Sequence, residues 1–541
     1  MLILFIGSLA IINRRRAKPK PFQCQTFEKV NGKPPHIISS ILCNDTLKQQ
    51  TIKKLINAVR IPTEMYDTFP DPKAEPDFEG WSPFKKLHEQ LESDFPLVWE
   101  HLEVEKVNGY ALLLTWKGTD LTLKPAVFAA HLDVVPVERS TWNDWEHDPF
   151  SGDFDGRSIW GRGSFDDKNM LIGILQALEY MLENEADFKP TRTILVAMGS
   201  DEEASGRYGA KHLNDVLLER YGMDGIYSII DEGVNGIKDI DNVLIASPCI
   251  GEKGYINIKF DIASAGGHSS LPPKHTTIGY AASIIRSIES RKFVPLFTRS
   301  NPMAEYYQCI AQYSDTMDPN LKWDFLHSMD NPKANKRVLE NLITTGGREI
   351  DYLFRASQAI DMINGGTNSN TLPESTSFIL NSRVNLESTV EKTIAKFKEQ
   401  TYDMAMKFGL NLTLDEKQLL SLGDAVGDIK MTTLVTLEPA PVSPSNDVWQ
   451  EFAGTIKGFY EDIVFPLKAI SGRELVVAPS IMTANTDTSR YWNLTKNIYR
   501  YQPGFASKET LRTIHSVNEH VDVATVMHVV GFIYDYVHVI N

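Results

Sequence analysis

The first half of the chain alternates short, continuous apolar runs with longer stretches in which apolar residues recur at helical spacing. The apolar runs are rich in Ala, Leu, Ile and Val and cover residues 109–116, 126–130, 193–198 and 227–230. The stretches with helical spacing cover residues 45–60, 81–91, 169–183 and 209–221. Such alternation is typical of an α/β domain built around a mostly parallel sheet.

The pattern changes after Gly254. Residues 255–262 alternate apolar and polar side chains, as a half-exposed antiparallel strand does, and the same alternation recurs at 377–384 and 410–414. A long amphipathic helix is predicted between the last two, over residues 387–408. These features indicate a second domain, of the α+β class, that is inserted into the first.

The earlier pattern returns near residues 441–444 and continues through predicted helices at 447–460 and 521–539. The sequence therefore predicts four segments in chain order. They are an N-terminal apolar segment with a linker (1–40), the first part of the α/β domain (41–254), the inserted domain (255–441) and the second part of the α/β domain (442–541).

Composition narrows the classes of partner. The chain has 541 residues, with 70 acidic against 55 basic ones and a formal net charge of -15. We expect no nucleic-acid partner, because such a partner requires a basic surface. The four cysteines have no Cys-x-x-Cys spacing, so neither a thiolate zinc site nor a disulfide framework is indicated. A single disulfide between Cys24 and Cys43 is an alternative that the spacing allows.

The N-terminus is apolar over residues 2–12 and is followed by three arginines at 14–16. The run is shorter than the roughly 20 residues that span a bilayer, and a signal peptide carries its positive charge before the apolar run. We interpret it as an incomplete signal anchor, which allows a membrane anchor at this end. Residues 13–40, rich in Pro and Lys, are interpreted as a linker. Three sequons permit glycosylation in a secretory compartment, at Asn44, Asn411 and Asn493.

Side chains suited to metal binding follow the predicted strands. His131 and Asp133 come directly after the run 126–130, and side chains two apart in a strand project to the same side. In open α/β sheets, ligands bind beyond the carboxyl ends of the strands. Further acids and histidines follow other strands or lie in loops, at Asp166, Glu202, Glu203, Asp231 and His515.

Each of these residues has an ordinary alternative when taken alone. Asp166 precedes a predicted helix, where Asp is a favoured N-cap. Glu202 and Glu203 lie in an acidic run of the kind that usually forms a solvated face. A lone histidine such as His515 is more often a core or surface residue.

Together the residues form an ordered set of motifs. The motifs are His131-Leu-Asp133-Val-Val-Pro136, Gly161-Arg-Gly163 with Asp166-Asp167-Lys168, Asp201-Glu-Glu203, Asp231-Glu232, Gly266-Gly-His268-Ser-Ser and His515-Ser-Val-Asn-Glu519. In this order and spacing they resemble the M20 family of dizinc metallopeptidases, from about residue 50 to the end. The run Gly-Gly-His-Ser-Ser-Leu-Pro-Pro at 266–273 is most similar to the fungal carboxypeptidase S branch, whose members are vacuolar Gly-Xaa carboxypeptidases.

The resemblance implies a pair of zinc ions bridged by the carboxylate of Asp166. His131 and Asp231 would complete one zinc site, and Glu203 and His515 the other. Oxygen and nitrogen ligands without thiolates suit zinc, although they would also hold cobalt or manganese.

The resemblance also assigns residues beside the metals. Asp133 would orient His131, as an acid behind a metal-binding histidine does. Glu202 would be the general base that takes a proton from the attacking water. The family further has a cis peptide after the bridging acid, here between Asp166 and Asp167.

Four residues are expected to contact the substrate. The inserted domain would act as a lid, and its His268 would stabilise the oxyanion. In several family members this histidine acts across a dimer interface, so a homodimer through the lid is expected. Asn370 and Arg383 match lid residues that grip the substrate, and Arg490 lies in a loop that resembles the family's carboxylate-binding turn. Without the resemblance, Asn370 would be interpreted as a loop cap and Arg383 as a solvated strand end.

The resemblance implies a zinc-dependent carboxypeptidase that hydrolyses the C-terminal bond of short peptides, in the vacuole or the lumen of the secretory pathway. The alternative is an N-acyl-amino-acid hydrolase of the same superfamily, because both cleave an amide next to a free carboxylate. A third hypothesis is an inactive binding protein on this fold. The presence of all five ligand positions and Glu202 argues against it.

Overall fold

The computed structural model describes residues 21–233, 236–470, 472–505 and 507–541. The apolar run at 2–12 and the arginines at 14–16, interpreted as an incomplete signal anchor, lie outside the described residues. Among the described residues, no helix combines the length and the apolar character needed to cross a membrane.

The helices follow the predicted pattern closely in the α/β domain. The stretches 45–60, 169–183 and 209–221 form helices whose ends differ from the prediction by at most one residue. The α-helices of the described residues, numbered in chain order, are α1 (Pro35–Leu42), α2 (Asp45–Val59), α3 (Ser82–Asp94), α4 (Pro96–His101), α5 (Lys168–Asn184), α6 (Ala210–Tyr221), α7 (Thr277–Ser290), α8 (Pro302–Tyr313), α9 (Pro319–His327), α10 (Pro332–Phe354), α11 (Val390–Phe408), α12 (Asp447–Gly458), α13 (Phe465–Leu467), α14 (Lys508–Thr513) and α15 (Val523–Val539).

The strands divide between two large sheets and three small ones. They are β1 (Glu103–Val107), β2 (Ala111–Trp116), β3 (Ala126–His131), β4 (Asp153–Phe154), β5 (Ser158–Trp160), β6 (Ile194–Gly199), β7 (Ile229–Asp231), β8 (Ile237–Ile240), β9 (Val243–Ala246), β10 (Cys249–Glu252), β11 (Gly254–Ser264), β12 (Gly267–His268), β13 (Ala359–Gly365), β14 (Thr371–Leu372), β15 (Ser375–Val384), β16 (Leu410–Leu414), β17 (Lys417–Leu420), β18 (Gly427–Leu437), β19 (Leu475–Val477), β20 (Ser480–Met482), β21 (Ile498–Arg500) and β22 (His520–Asp522).

The central sheet has eight strands in the order β1-β2-β6-β3-β7-β21-β10-β20. Its middle strands β6, β3, β7 and β21 run parallel, whereas β1 and β2 form an antiparallel edge. Strand β3 is buried over its whole length, so its side chains need apolar partners on both faces. Phe128 packs with residues of α5 and α15 on one face, and Val127 and Ala129 pack with residues of α6 on the other. The predicted α/β class with a mostly parallel sheet is confirmed.

The second large sheet belongs to the inserted segment. It has six strands in the order β13-β15-β11-β18-β16-β17, and β11 pairs antiparallel with both β15 and β18. Helices α7 and α11 cover one face, where Phe260 and Phe378 stack with ring centroids 4.5 Å apart. The alternation predicted at 255–262 is visible in β11, whose residues alternate between buried and partly exposed positions. We call the unit formed by this sheet, these two helices and the strand pair β12–β14 the inserted domain.

Helices α8, α9 and α10 lie within the span 255–441 but pack elsewhere. Their buried side chains, such as Phe325 and Val338, form a core with Val243, Val476 and Ile481 of strands β9, β19 and β20. Helix α10 is broken at Gly347, which has φ 62°. These helices therefore extend the α/β domain rather than the inserted sheet, a placement that hydrophobic periodicity alone does not specify.

The segment before α2 is not a free linker, which corrects the interpretation of residues 13–40 where the structure describes them. Phe27 is buried against Trp449, and the Val30 N–H donates to the Gly454 carbonyl at 3.1 Å. Pro34 and Pro35 lie at the start of α1, where proline is tolerated because its missing N–H has no helical acceptor. Ile38 of α1 is fully buried.

A disulfide joins this segment to α8, between Cys24 and Cys309. The bridge Cys24–Cys43, left open by the sequence, is not formed, and Cys43 is an exposed free thiol. Cysteine spacing cannot give the pairing, because connectivity depends on which residues the fold brings within bonding distance. The bridge fixes the N-terminal segment across the α/β domain.

We expect the double variant Cys24→Ser with Cys309→Ser to lose about 2–4 kcal/mol of unfolding free energy. The bridge spans 285 residues of sequence, so its removal restores conformational freedom to the unfolded chain. Denaturant unfolding under oxidising conditions measures the loss. Cys43→Ser is the matched control and should leave stability unchanged. An unchanged transition in the double variant would contradict the role given to the bridge.

Candidate metal centre

The parallel strands bring the predicted metal residues to one edge of the central sheet. Strand β3 ends at His131, β7 ends at Asp231, and β6 is followed by a 3₁₀ turn over Glu202–Ala204. Because β3, β6 and β7 run in the same direction, their carboxyl ends lie side by side. This explains how residues widely separated in sequence meet.

Asp166 lies between two histidines. Its Oδ1 is 3.1 Å from Nε2 of His131, and its Oδ2 is 3.1 Å from Nε2 of His515. The same nitrogen of His515 is 3.1 Å from Oε1 of Glu203. Four of the five predicted metal ligands are therefore in direct contact. His515 has φ 57°, an uncommon conformation for a residue with a side chain, so local contacts must hold this loop.

Asp133 supports both His131 and the turn that carries the two glutamates. Its backbone carbonyl is 3.0 Å from Nδ1 of His131, and its Oδ1 is 3.4 Å from the same nitrogen. The carboxylate also accepts the backbone N–H groups of Glu202 and Glu203, at 3.1 and 3.0 Å. The fully buried Asp133 thus fixes the positions of three site residues.

The structure brings Glu232, rather than Asp231, next to His131. Oε1 of Glu232 is 3.7 Å from Nε2 of His131. Among the described residues, ligand atoms lie within 4.8 Å of one another in two groups, namely His131, Asp166 and Glu203, and His131, Glu202 and Glu232. Asp231 belongs to neither; its Oδ1 accepts the Glu232 N–H, and its buried Oδ2 has no hydrogen-bond partner in the part of the chain that the structure describes. Two adjacent acids at a strand end point in different directions, so the motif did not show which one faces the site.

The charges of the site are poorly balanced by protein groups alone. Burial raises the pKa values of Glu202, Glu203 and Glu232, and the neighbouring carboxylates raise them further. The hydrogen bonds that His515 donates to the carboxylates of Asp166 and Glu203 raise the pKa of His515 to about 10. Burial would raise the pKa of Asp166, but the two histidines outweigh it and lower the pKa. A cluster of acids with two imidazoles and no thiolate fits divalent cations such as zinc.

Glu519 is a residue of the site that the sequence analysis quoted without a role. Its buried carboxylate accepts the backbone N–H groups of Phe165 and Asp166, at 3.1 and 3.2 Å, and pairs with Nη1 of Arg162 at 2.5 Å. The Asp166–Asp167 peptide is cis, as predicted. Glu519 therefore ties the loop of His515 to the loop of Asp166. The sequence signal that could have indicated a role for Glu519 was its position at the end of the His515 motif.

The predicted substrate residues lie apart from this cluster. His268 is exposed on β12, and its Nδ1 accepts the Ser270 N–H at 3.1 Å. Asn370 is exposed in the adjoining loop, and its backbone carbonyl accepts the Ser269 N–H. In the described part of the chain, the hydrogen bonds of both residues stay within the inserted domain.

The two predicted arginines contact the α/β domain. Arg383, in β15, donates to Oδ1 of Asn485 at 2.7 Å and so links the two domains. Arg490, in the 3₁₀ turn Asp487–Arg490, donates to the carbonyl of Ser205 at 2.6 Å, immediately after the turn with the two glutamates. Arg490 is thus near the site, but this contact is made to backbone.

A parallel-sheet edge that gathers histidines and carboxylates around one shared aspartate defines a metal-site protein of the α/β class, with the donor set of a metallohydrolase. The model of peptidase family M20/M25/M40 matches residues 127–538. The chain belongs to this family.

Similar proteins agree with this assignment. Carboxypeptidase S of Saccharomyces cerevisiae is 41% identical over 523 residues, which cover 96% of this chain and 89% of the relative. N-fatty-acyl-amino acid synthase/hydrolase PM20D1 of Bos taurus is 28% identical over 494 residues, which cover 89% of this chain and 86% of the relative. The crystal structure of human carnosine dipeptidase 1 has a TM-score of 0.60 at 14% identity, covering 94% of this chain and 100% of that chain, and shares the fold.

We expect Glu519→Gln to weaken metal binding, because an amide accepts less strongly than a carboxylate and leaves Arg162 buried without its counter-charge. The Kd for zinc, titrated into metal-free protein, should rise roughly 10–100-fold, the range for residues that support metal ligands. Glu461→Gln, which removes an acid paired with Lys457 away from the site, is the control. An unchanged zinc Kd in Glu519→Gln would contradict the positioning role.

Proposed function

We propose that this protein is a zinc-dependent carboxypeptidase that removes the C-terminal residue of short peptides of the Gly-Xaa type. The observation that carries the proposal is the identity of 41% to carboxypeptidase S over nearly the whole chain. The contacts among His131, Asp166, Glu203 and His515 support it, because they bring four of the five expected ligands around a shared carboxylate.

Two zinc ions would share Asp166. His131 and Glu232 would complete one site, and Glu203 and His515 the other. Glu232 is preferred over Asp231 because its carboxylate oxygen is the one near Nε2 of His131. Bound metal would polarise the scissile carbonyl and make the attacking water more acidic.

Glu202 would hold and move the proton. Its carboxylate oxygen lies in one group with His131 and Glu232, within 4.8 Å, and its backbone is fixed by the hydrogen bond to Asp133. Glu202 would accept a proton from the attacking water and deliver it to the nitrogen of the leaving residue. Asp133 would keep the Nδ1–H of His131 oriented, so that Nε2 stays free as a ligand.

His268 would stabilise the oxyanion. The Ser270 N–H can only donate, so Nδ1 of His268 is the acceptor and Nε2 carries the proton. That exposed N–H is available to a developing negative charge. Asn370 directly precedes strand β14, which pairs with the strand of His268, and would bind the substrate beside that histidine. The apolar residues Met362 and Ile363 are exposed on edge strand β13, and they support a homodimer formed through the inserted domain. In such a dimer, His268 and Asn370 would reach the metal centre of the partner subunit.

We further propose an oxidising compartment, the vacuole or the secretory lumen. The Cys24–Cys309 bridge supports it, because disulfides persist mainly in such compartments. A membrane anchor before residue 21 and glycans at Asn44, Asn411 and Asn493 remain parts of this proposal.

The second candidate is an N-acyl-amino-acid hydrolase, which the identity of 28% to PM20D1 favours less than the identity to carboxypeptidase S. Both reactions release an amino acid with a free carboxylate. We expect kcat/KM for an N-blocked Gly-Leu to exceed that for an N-acyl-leucine without the glycine. The reverse preference would favour the second candidate.

Glu202 and Glu203 are adjacent but have different proposed tasks. Glu202→Gln should keep both metal ions and lower kcat about 10²–10⁴-fold with little change in KM, because a general base acts in the transition state. Glu203→Gln should lose metal from one site. Elemental analysis and steady-state kinetics measure both effects. Metal loss in Glu202→Gln with retention in Glu203→Gln would exchange the assignments.

Asp231 and Glu232 form a second matched pair. We expect Glu232→Gln to lower the zinc content of the purified protein and Asp231→Asn to lower it less, because only Glu232 points toward His131. The same elemental analysis decides between them. Greater metal loss in Asp231→Asn would restore Asp231 as the ligand.

A further inference from the structure

A cavity of about 200 Å³ lies among α1, α2 and α15, and none of the residues of the candidate metal centre lines it. Cys43 at the end of α1, Lys48 of α2, Lys468 after α13 and His528 of α15 line it, together with apolar side chains such as Met527. Its volume is below the range of roughly 300–1,000 Å³ for pockets that hold drug-sized ligands. The cavity therefore accommodates one small group of a ligand.

The lining of this cavity is basic. Lys48 and Lys468 line it, and among the described residues no Asp or Glu does. The acids on the neighbouring elements face elsewhere. Asp45, on the same helix as Lys48, lines a separate depression of the surface, and Asp462 pairs with Lys29 at 2.5 Å. Positive charge that the lining does not balance favours an anionic ligand.

His528 supplies a hydrogen-bonding group to this cavity. The side chain lines the cavity although the residue is only 6% exposed, and its buried Nδ1 has no hydrogen-bond partner in the part of the chain that the structure describes. Burial lowers the pKa of His528 to about 3, and the positive charge of Lys468 acts in the same direction, so the ring is neutral. A buried polar atom without a partner is costly, and a ligand that bonds to it removes this cost.

The wall beside His528 has an uncommon backbone. Residues Phe459–Val464 form a π-helix, and Val464 lines the cavity. Phe459 and Tyr460 of the same π-helix contact the ring of His528, with ring centroids 6.2 and 5.9 Å apart. π-Helical turns are rare and are frequently found at functional sites. The backbone thus gives a second indication of a ligand site, independent of the charges.

Cys43 is the chemically reactive group of the cavity, and its thiol is exposed and free. The Cys24–Cys309 bridge indicates an oxidising compartment, where a leftover cysteine pairs with another chain or reacts with a small thiol compound. Pairing of two copies through Cys43 is disfavoured, because it would bring Lys48 and Lys468 of both copies together. The same positive charges attract a small anionic partner.

We propose that Cys43 is a modification site, at which a small thiol compound with a free carboxylate is held as a mixed disulfide, with its carboxylate beside Lys48 and Lys468. His528 makes a hydrogen bond to the part of the compound that enters the cavity. The site lies outside the metal centre, so this inference goes beyond the proposed function and does not depend on it.

The co-reactant is the disulfide form of the same compound. Sγ of Cys43 gives its proton to solvent and attacks one sulfur of this disulfide. The bond between the two sulfurs breaks, and the released half leaves as a thiolate that takes up a proton. Cys43 is oxidised and the released half is reduced, so the exchange needs no further oxidant.

The kinetic test compares three disulfides of different charge. The full chain is incubated with the acidic glutathione disulfide, the neutral 2-hydroxyethyl disulfide or the cationic cystamine, and mass spectrometry follows the adduct. Each rate constant is divided by that of the same disulfide with free cysteine, which removes differences in intrinsic reactivity. The normalised rate for the acidic disulfide should exceed that for the cationic one at least about 10-fold, since focused positive charge raises encounter rates with anions by 10–10³.

Variants assign the preference to the cavity. Lys48→Gln combined with Lys468→Gln should bring the ratio of normalised rates close to one, and the corresponding double change to Glu should reverse it. Lys211→Gln, which removes an exposed lysine of α6 that does not line the cavity, is the matched control and should keep the preference. Cys43→Ser should form no adduct, because the other free thiol, Cys249, is buried.

Three results would overturn the inference. Equal normalised rates for the three disulfides would show labelling of an accessible thiol only. A preference for the acidic disulfide that persists in the double Gln variant would exclude the lysines of the cavity. A dimer linked through Cys43, in protein purified without reductant, would show pairing between chains instead. None of these measurements uses peptide hydrolysis, so failure of the proposed function would leave their outcome unchanged.

Discussion

One shared carboxylate is the constraint on which the site depends. Asp166 presents one oxygen to His131 and the other to His515, at 3.1 Å each. The two histidines come from the two parts of the α/β domain, before and after the inserted segment, so both parts must fold together before the histidines meet. A carboxylate that serves two partners has no freedom to rotate, and its backbone must be fixed from outside the site.

Two buried acids that accept backbone N–H groups hold the backbone of the site in place. Asp133 accepts the N–H groups of Glu202 and Glu203, and Glu519 accepts the N–H of Asp166 together with a guanidinium. Each of these acids is satisfied by hydrogen bonds, as buried polar groups in proteins are. The acids of the candidate metal centre instead face one another or the two histidines.

Basic side chains, in contrast to the acids of the metal centre, lie at the boundary between the two domains. Arg383 reaches from the inserted sheet to Asn485 of the α/β domain, next to the buried Lys253. Glu252, the residue before Lys253, pairs with Arg500 at 2.9 Å and accepts from Thr486 at 2.7 Å. Strand β10, which leads into the inserted domain, is therefore fixed to the loop that reaches the metal centre.

The sequence by itself predicted the main helices and strands of the α/β domain and most of the residues that meet at the candidate metal centre. Apolar periodicity marks which face of a helix or strand is buried, and parallel strands place their carboxyl ends together, so His131 and Glu203 could be predicted to meet. Asp166 and His515 lie in loops, and only the resemblance of the motifs to a family predicted that they join the other two. Only the tertiary structure decided that Glu232 turns toward His131, that Cys24 pairs with Cys309, and that α8–α10 pack on the α/β domain. These features depend on the direction of a side chain after a strand ends, or on contacts between segments far apart in the chain. Local patterns carry no information about either, because the partner is chosen by the packing of the whole fold.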